Sequence, residues 1–183
     1  MQNIFLETLA WISAKLDKLG IAYMVTGGSA LSFWGHVRTT MDIDIVVQIS
    51  PSRIPELIAA VKDESYIDED DVRLAVSEKR MFNVIFNATV FKVDFAVLDD
   101  TKPYQKESFS RRKEFELAGQ PLWVITAEDL VLSKLRWMKS AGGSERQLQD
   151  CRSIMELNKG MLDTKYMEKW ASVLGISDEI KLL

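Results

Sequence analysis

The stretch from Tyr23 to Val47 constrains the fold more than any other part of the chain. Gly27-Gly28-Ser29 ends one apolar run, and Asp42-Ile43-Asp44 begins another. Successive side chains of a strand point to opposite faces, so Asp42 and Asp44 emerge together while the isoleucine between them points the other way. Two carboxylates on one face of a strand indicate a divalent-cation site, because hard cations prefer oxygen ligands.

Composition narrows the class of protein and the kind of metal. With 183 residues, 47% hydrophobic content and a net charge of -4, the chain can bury one good core. One cysteine and one histidine exclude a disulfide framework and leave too few ligands for a zinc site. No apolar run approaches the roughly 20 residues needed to cross a bilayer. We therefore expect a cytoplasmic protein with no membrane association, in which carboxylates and magnesium provide any metal chemistry.

The order of the predicted elements indicates an α+β fold. An amphipathic helix ends at Gly20, and the acidic segment Asp63 to Asp71 is predicted to be an exposed connection. From Thr126 onward the pattern is helical, with Asp129 at the capping-box position. Strands are predicted at Ile21–Thr26, Asp42–Ile49, Phe82–Phe86, Thr89–Leu98, Lys113–Leu117 and Leu122–Ile125. We expect a mixed β-sheet flanked by helices over residues 1–125 and a helical C-terminal subdomain over 126–183, which can pack as one unit.

A third aspartate lies in the middle of a later strand. Asp94 shares one strand face with Lys92 and Ala96, whereas the neighbouring apolar residues point to the other face. Carboxylates from two strands, Asp42, Asp44 and Asp94, fit a two-metal site for phosphoryl or nucleotidyl transfer. The glycine pair lets the backbone approach a triphosphate closely, and Ser29 and adjacent amides can donate hydrogen bonds to it.

These motifs together resemble a known family. Gly27-Gly28-Ser29, Asp42-Ile43-Asp44 and Asp94 resemble the signature of the DNA polymerase beta-type nucleotidyltransferase superfamily. Further segments are similar to the AbiEii-like minimal nucleotidyltransferases, a group that includes toxins of toxin-antitoxin and phage-defence systems. These segments are Gly35 to Asp44, Ala127-Glu128-Asp129-Leu130 with Lys134, and Ser144-Glu145-Arg146 with Asp150.

The resemblance implies a nucleotidyltransferase fold and a role for each aspartate. Asp42 and Asp44 would each bind magnesium, and Asp94 would complete the site and accept the proton of the attacking hydroxyl. Two Mg²⁺ ions are implied, with Mn²⁺ as a possible substitute.

The resemblance also implies nucleotide-binding residues. Gly27, Gly28 and Ser29 would hold the phosphates, Arg38 would add a contact, and Lys134 would neutralise the triphosphate or orient the acceptor. Lys134 also borders an apolar helix stripe and could simply flank the core. Asp150 could pair with a basic residue. Arg111-Arg112-Lys113 could grip RNA or a triphosphate tail, although such a run is usually a solvated face.

The leading hypothesis is a magnesium-dependent enzyme that moves a nucleoside monophosphate from a nucleoside triphosphate to an acceptor hydroxyl. The acceptor could be a tRNA 3′ end, a protein or a small molecule, and a cognate antitoxin is a possible partner. An alternative is a non-catalytic binding or regulatory protein that keeps the fold as a scaffold, which the three intact aspartates disfavour. Metal-dependent phosphate-ester hydrolysis is a third possibility, but it gives no reason for the Gly-Gly-Ser turn.

Overall fold

A computed structural model of the chain describes residues 2–35, 40 and 42–183. Its helices are α1 (Gln2–Leu19), α2 (Leu31–Trp34), α3 (Ile54–Val61), α4 (Glu69–Glu78), α5 (Pro103–Ser110), α6 (Ala127–Ser140), α7 (Glu145–Leu157), α8 (Thr164–Val173) and α9 (Ser177–Ile180). Its strands are β1 (Tyr23–Thr26), β2 (Asp42–Val47), β3 (Ser65–Tyr66), β4 (Met81–Phe86), β5 (Phe91–Val97), β6 (Lys113–Leu117) and β7 (Gln120–Val124). This is the α+β architecture with a mixed sheet that the sequence predicts.

The strands form one sheet in the order β3-β4-β5-β2-β1-β7-β6. The β2–β5 and β1–β7 pairs are parallel, and the other four pairs are antiparallel. The parallel β2–β5 pair lies at the middle of the sheet, where each strand has neighbours on both sides. Residues at matching positions of β2 and β5 therefore present their side chains to the same face.

By compactness the chain divides into two units, and the first contains the whole sheet. It comprises residues 2–29, 40 and 42–124. Its core lies on the sheet face to which the apolar positions of β2 and β5 point, and α1 packs on that face through Phe5, whose ring meets Phe91 edge to face. Phe82 of β4 stacks on its cross-strand partner Phe95 with ring centroids 4.9 Å apart. Burial of this face fixes the strand register and leaves the polar positions on the opposite face.

The second unit is helical and comprises residues 30–35 and 125–183. Thr126 caps α6, because its hydroxyl oxygen accepts from the amide of Asp129 and its hydroxyl donates to the Asp129 carboxylate at 2.8 Å. Ser144 caps α7 in the same way through the amide of Gln147. Thr126 and Ser144 are thus the N-caps of α6 and α7. The predicted domain boundary after Ile125 stays a prediction.

The prediction that Asp63 to Asp71 is a connection is wrong, although most of its residues are exposed as expected. Ser65–Tyr66 pairs with the end of β4, and α4 begins at Glu69 with Asp68 as its N-cap. Asp68 accepts a hydrogen bond from the amide of Asp71, so the acidic residues belong to a helix start. Helix α5 was not predicted at all. Within the described residues, no helix has both the length and the apolar character that a bilayer crossing needs.

Candidate active site

Two parallel strands bring the three predicted aspartates to one face of the sheet. Along β2, Asp42 and Asp44 are half-exposed whereas Ile43 is buried, as the alternation predicts. On β5, Asp94 is the register partner of Asp44. The side chains of Asp42, Asp44 and Asp94 therefore emerge from adjacent positions of a single surface.

The Gly27-Gly28 turn touches this surface directly. The amide of Gly28 donates a hydrogen bond to Oδ2 of Asp44 at 3.0 Å. Gly27 has φ +57°, and a Cβ built there would overlap the Asp44 carboxylate and lie 2.8 Å from its Cβ. Glycine is required at position 27 both for the left-handed backbone and for the close approach to Asp44. The turn therefore positions one of the predicted metal ligands.

Ser29 attaches the same turn to the backbone of β2. Its side chain is fully buried, and its hydroxyl donates to the carbonyl oxygen of Asp42 and accepts from the amide of Asp44, both at 3.2 Å. The carbonyl of Asp42 also accepts from the hydroxyl of Thr40 at 3.0 Å. The Ser29 hydroxyl thus contacts the strand that carries Asp42 and Asp44, and its predicted contact with a phosphate stays a prediction.

Lys92 is a member of this surface that the sequence-based site does not include. It is the register partner of Asp42, and its Nζ lies 2.9 Å from Oδ2 of Asp94 and 3.6 Å from Oδ1 of Asp42. The hydrogen bond to Asp94 raises the pKa of the Lys92 ammonium, so it stays charged at neutral pH. A signal was present in the sequence, since Lys92 precedes Asp94 by two residues and shares its strand face.

The donor set fits a hard divalent cation. Three carboxylates share one face, and Oδ1 of Asp94 is buried with no hydrogen-bond partner among the described residues. Oxygen-only ligands of this kind suit Mg²⁺ or Mn²⁺. Among residues 2–35, 40 and 42–183, however, no three acidic, histidine or cysteine side chains are grouped around one point. Asp44 faces the Gly28 amide and Asp94 faces Lys92, so metal binding requires side-chain rotation and stays a prediction.

Lys134 lies in the helical unit, where it forms a buried ion pair. Its Nζ is 2.8 Å from Oδ2 of Asp150 and 3.1 Å from Oε1 of Gln147. The side chains of Lys134 and Asp150 are only 4% and 2% exposed. The suggestion that Asp150 pairs with a basic residue is therefore confirmed. The contact of Lys134 with a nucleotide stays a prediction.

The other basic residues predicted to bind a nucleotide or RNA are Arg38 and the run Arg111-Arg112-Lys113. Arg38 lies outside the described residues. In the basic run Arg111-Arg112-Lys113, the Arg112 guanidinium stacks on the rings of Phe109 and Trp123 and donates to the carbonyl of Phe109 at 2.7 Å. These contacts favour a packing role for Arg112 over a role in gripping RNA.

Three solved structures are similar to this chain in fold. An antigenic nucleotidyltransferase-like protein from Paracoccidioides brasiliensis matches with a TM-score of 0.60 and 16% identity, covering 97% of this chain and 92% of that one. ANT(2″)-Ia in complex with adenylyl-2″-tobramycin matches with a TM-score of 0.61 and 14% identity, covering 93% and 96%. The lincosamide antibiotic adenylyltransferase LnuA with lincomycin bound matches with a TM-score of 0.54 and 12% identity, covering 82% and 96%. At these identities the matches establish the fold.

These matches define a nucleotidyltransferase-like fold. Residues 8–164 match the family described as nucleotidyl transferase AbiEii toxin, type IV toxin-antitoxin system. The chain belongs to this family, and the recognition made from the sequence is confirmed. No curated protein matches it in sequence.

Proposed function

We propose that this protein transfers a nucleoside monophosphate from a nucleoside triphosphate to an acceptor hydroxyl in a magnesium-dependent reaction that releases pyrophosphate. The observation that carries the proposal is the Gly27–Ser29 turn, which is hydrogen-bonded to the strand bearing Asp42 and Asp44 while Asp94 lies in register beside Asp44. A phosphate-binding turn and a carboxylate group are the two parts that such a reaction needs.

Each residue has a role in this proposal. Asp42, Asp44 and Asp94 would hold two magnesium ions, which when bound neutralise the triphosphate and stabilise the attacking and leaving oxygens. Asp94 accepts the proton of the attacking hydroxyl, which its unpartnered Oδ1 supports. Gly27, Gly28 and Ser29 position the phosphates, and Arg38 and Lys134 add positive charge.

Membership of the AbiEii family supports the general class of substrate and partner. The substrate is a nucleoside triphosphate, and the acceptor hydroxyl belongs to RNA, protein or a small molecule. Two structures of the same fold contain an antibiotic or an adenylylated antibiotic, which supports a test of small-molecule acceptors. Membership of a toxin family supports a cognate antitoxin as partner. We place the reaction in the cytoplasm, where nucleoside triphosphates and magnesium are abundant.

The experiment that tests the proposal follows a labelled α-phosphate. Purified protein is incubated with magnesium and each of the four α-labelled ribonucleoside triphosphates, with total cell RNA, cell protein or a small-molecule fraction as acceptor. The matched control is Asp44→Asn, which keeps an oxygen acceptor for the Gly28 amide and loses the charge. We expect label to move to one acceptor class only when Asp44 is intact.

The products separate the alternatives. Label released as free nucleoside mono- or diphosphate would indicate hydrolysis in place of transfer. Triphosphate binding without turnover on any acceptor would favour the scaffold alternative. Transfer that is equally fast with Asp44→Asn would overturn the assignment of this site.

A further inference from the structure

Lys92 contacts two of the three aspartates on this face of the sheet. Its ammonium lies between Asp94, at 2.9 Å, and Asp42, at 3.6 Å, on the same face of the β2–β5 pair. The two oxygens that flank it, Oδ2 of Asp94 and Oδ1 of Asp42, belong to two of the three aspartates proposed to bind magnesium. Lys92 therefore contacts the same carboxylates that the metal would ligate.

The charges on this face explain why a lysine there is useful. Three carboxylates on neighbouring positions of two strands repel one another, and like charges directly across a sheet destabilise it. One ammonium within hydrogen-bond distance of Asp94 and close to Asp42 relieves part of this repulsion. The other carboxylate, Asp44, is stabilised by the amide of Gly28. The metal-free surface is thus stabilised by groups of the chain itself.

The side chain of Lys92 is also able to move away from the two carboxylates. It is 40% exposed, whereas Asp94 beneath it is 12% exposed. A lysine carries its charge on a flexible four-carbon stem, so the ammonium can move into water while the strand stays in place. The side chain of Asp94, by contrast, is mostly buried.

We propose that Lys92 is an internal counter-cation of the active site, which neutralises Asp42 and Asp94 in the metal-free protein and is displaced when a divalent cation binds them. This inference rests on the proposed function only in taking Asp42 and Asp94 as metal ligands. Lys92 is a positioning residue that lowers metal affinity and relieves the repulsion between Asp42 and Asp94 when no metal is bound.

The proposal predicts that Lys92→Met binds metal more tightly than wild type but is less stable when no metal is present. Lys92→Met keeps the apolar stem and removes the charge, so the metal no longer competes with an ammonium. We expect Mn²⁺, measured alone by the electron paramagnetic resonance signal of the unbound ion, to bind about five- to tenfold more tightly than to wild type. The melting temperature without metal should fall, and the increase produced by Mg²⁺ should be larger than in wild type.

Lys102→Met is the matched control. Lys102 lies in the same unit and pairs with Asp99 at 3.1 Å, so its removal changes the net charge equally. Because it is 59% exposed and belongs to a different ion pair, we expect its effect on the Mn²⁺ dissociation constant to stay within about twofold. An equal gain in Mn²⁺ affinity in both variants would mean that the effect comes from net charge alone, and it would overturn the proposal.

A measurement on the wild-type protein needs a variant only to assign one signal. In protein with ¹³C-labelled lysine ε-carbons, the signal that Lys92→Arg removes belongs to Lys92. Addition of Mg²⁺ should shift this signal more than those of the other lysines. No shift, or an unchanged Mn²⁺ dissociation constant in Lys92→Met, would overturn the counter-cation role while leaving the metal site intact. Absence of Mn²⁺ binding to both proteins would instead overturn the metal site and, with it, the proposed function.

Discussion

Asp44 of β2 and Asp94 of β5 are register partners across two parallel strands at the middle of the sheet. The positions come from segments far apart in the sequence, but pairing of the two strands places both carboxylates on one face. The amide of Gly28 then contacts Asp44, and the ammonium of Lys92 contacts Asp94. The site is thus built by sheet register and stabilised by one turn and one lysine.

Replacement of Asp44 by Asn should lower the transfer activity without a large loss of stability. The amide oxygen of Asn can still accept from Gly28, so we expect the melting temperature to stay within a few degrees of wild type. Loss of a proposed metal ligand should lower the rate of nucleotide transfer by about 100-fold or more. Labelled transfer and differential scanning calorimetry measure the two effects, and wild-type turnover in the variant would contradict the metal assignment.

Gly27→Ala should damage the site more than its backbone strain alone explains. The methyl group would overlap the Asp44 carboxylate, in addition to the cost of φ +57° for a residue with a Cβ. Gly119→Ala is the matched control, because Gly119 has φ +77° and nothing within 4 Å of a built Cβ. We expect about 1 kcal/mol of destabilisation in the control and more in Gly27→Ala, measured by urea unfolding.

Transfer activity gives the second comparison between these variants. Gly27→Ala must move the Asp44 side chain or the turn, so transfer should fall sharply, whereas Gly119→Ala should keep wild-type turnover. Equal stability losses in the two variants, with activity kept in both, would mean that the approach of Gly27 to Asp44 has no consequence.

The alternation of side chains along a strand predicted which site residues of each strand share a face. The period of two places Asp42 and Asp44 on one face, and the same rule places Asp94 with Lys92. The contact between Lys92 and Asp42 depends on pairing of distant strands, which periodicity does not specify. For the same reason, the overlap of a Gly27 methyl group with Asp44 could not be foreseen, although the glycine itself marked the turn.

Errors in the predicted fold have physical causes. The acidic segment before α4 was predicted as a connection because its charge indicates solvent exposure, yet acidic residues also stabilise a helix N-terminus. From the sequence, Lys134 could either contact a nucleotide or flank the core, and neither alternative includes the burial that the structure shows. Burial is possible because Asp150, on the next helix, neutralises the ammonium. The apolar periodicity of one helix does not reveal such a pairing with a second helix.

The buried pair of Lys134 and Asp150 should behave as a unit in folding. Lys134→Met removes the ammonium that pairs with the buried carboxylate of Asp150, so we expect a loss of about 3–5 kcal/mol in the free energy of unfolding. The double variant Lys134→Met/Asp150→Leu removes both charges and should recover most of that loss. Urea unfolding of the wild type, both single variants and the double variant measures the coupling free energy.

The same double variant tests the proposed nucleotide contact of Lys134. A folded double variant that transfers no label would support a role of Lys134 in the reaction. If the double variant recovers both stability and turnover, Lys134 has only a structural role and is removed from the site.

Cys151 should respond to pH as a buried thiol. Its side chain is fully buried, and burial raises the pKa of the thiol from 9.0 to about 12. A folded-state pKa above the unfolded one stabilises the protein below about pH 9, and this contribution is lost as pH rises toward 12. At about pH 10.5 the wild type should therefore have lost about 2 kcal/mol of stability through this thiol.

Cys151→Ala isolates that effect, because all other titrating groups are shared with the wild type. We expect the stability advantage of wild type over Cys151→Ala at about pH 8 to shrink by about 2 kcal/mol at about pH 10.5, measured by urea unfolding at both values. An alkylating reagent at about pH 8 should label native Cys151 far more slowly than the unfolded chain. Lys134→Met should speed this labelling, since loss of the ion pair next to Cys151 increases opening of the helical unit. Equal labelling rates in the native and unfolded protein, or a stability difference that is constant with pH, would show that the thiol is accessible to solvent.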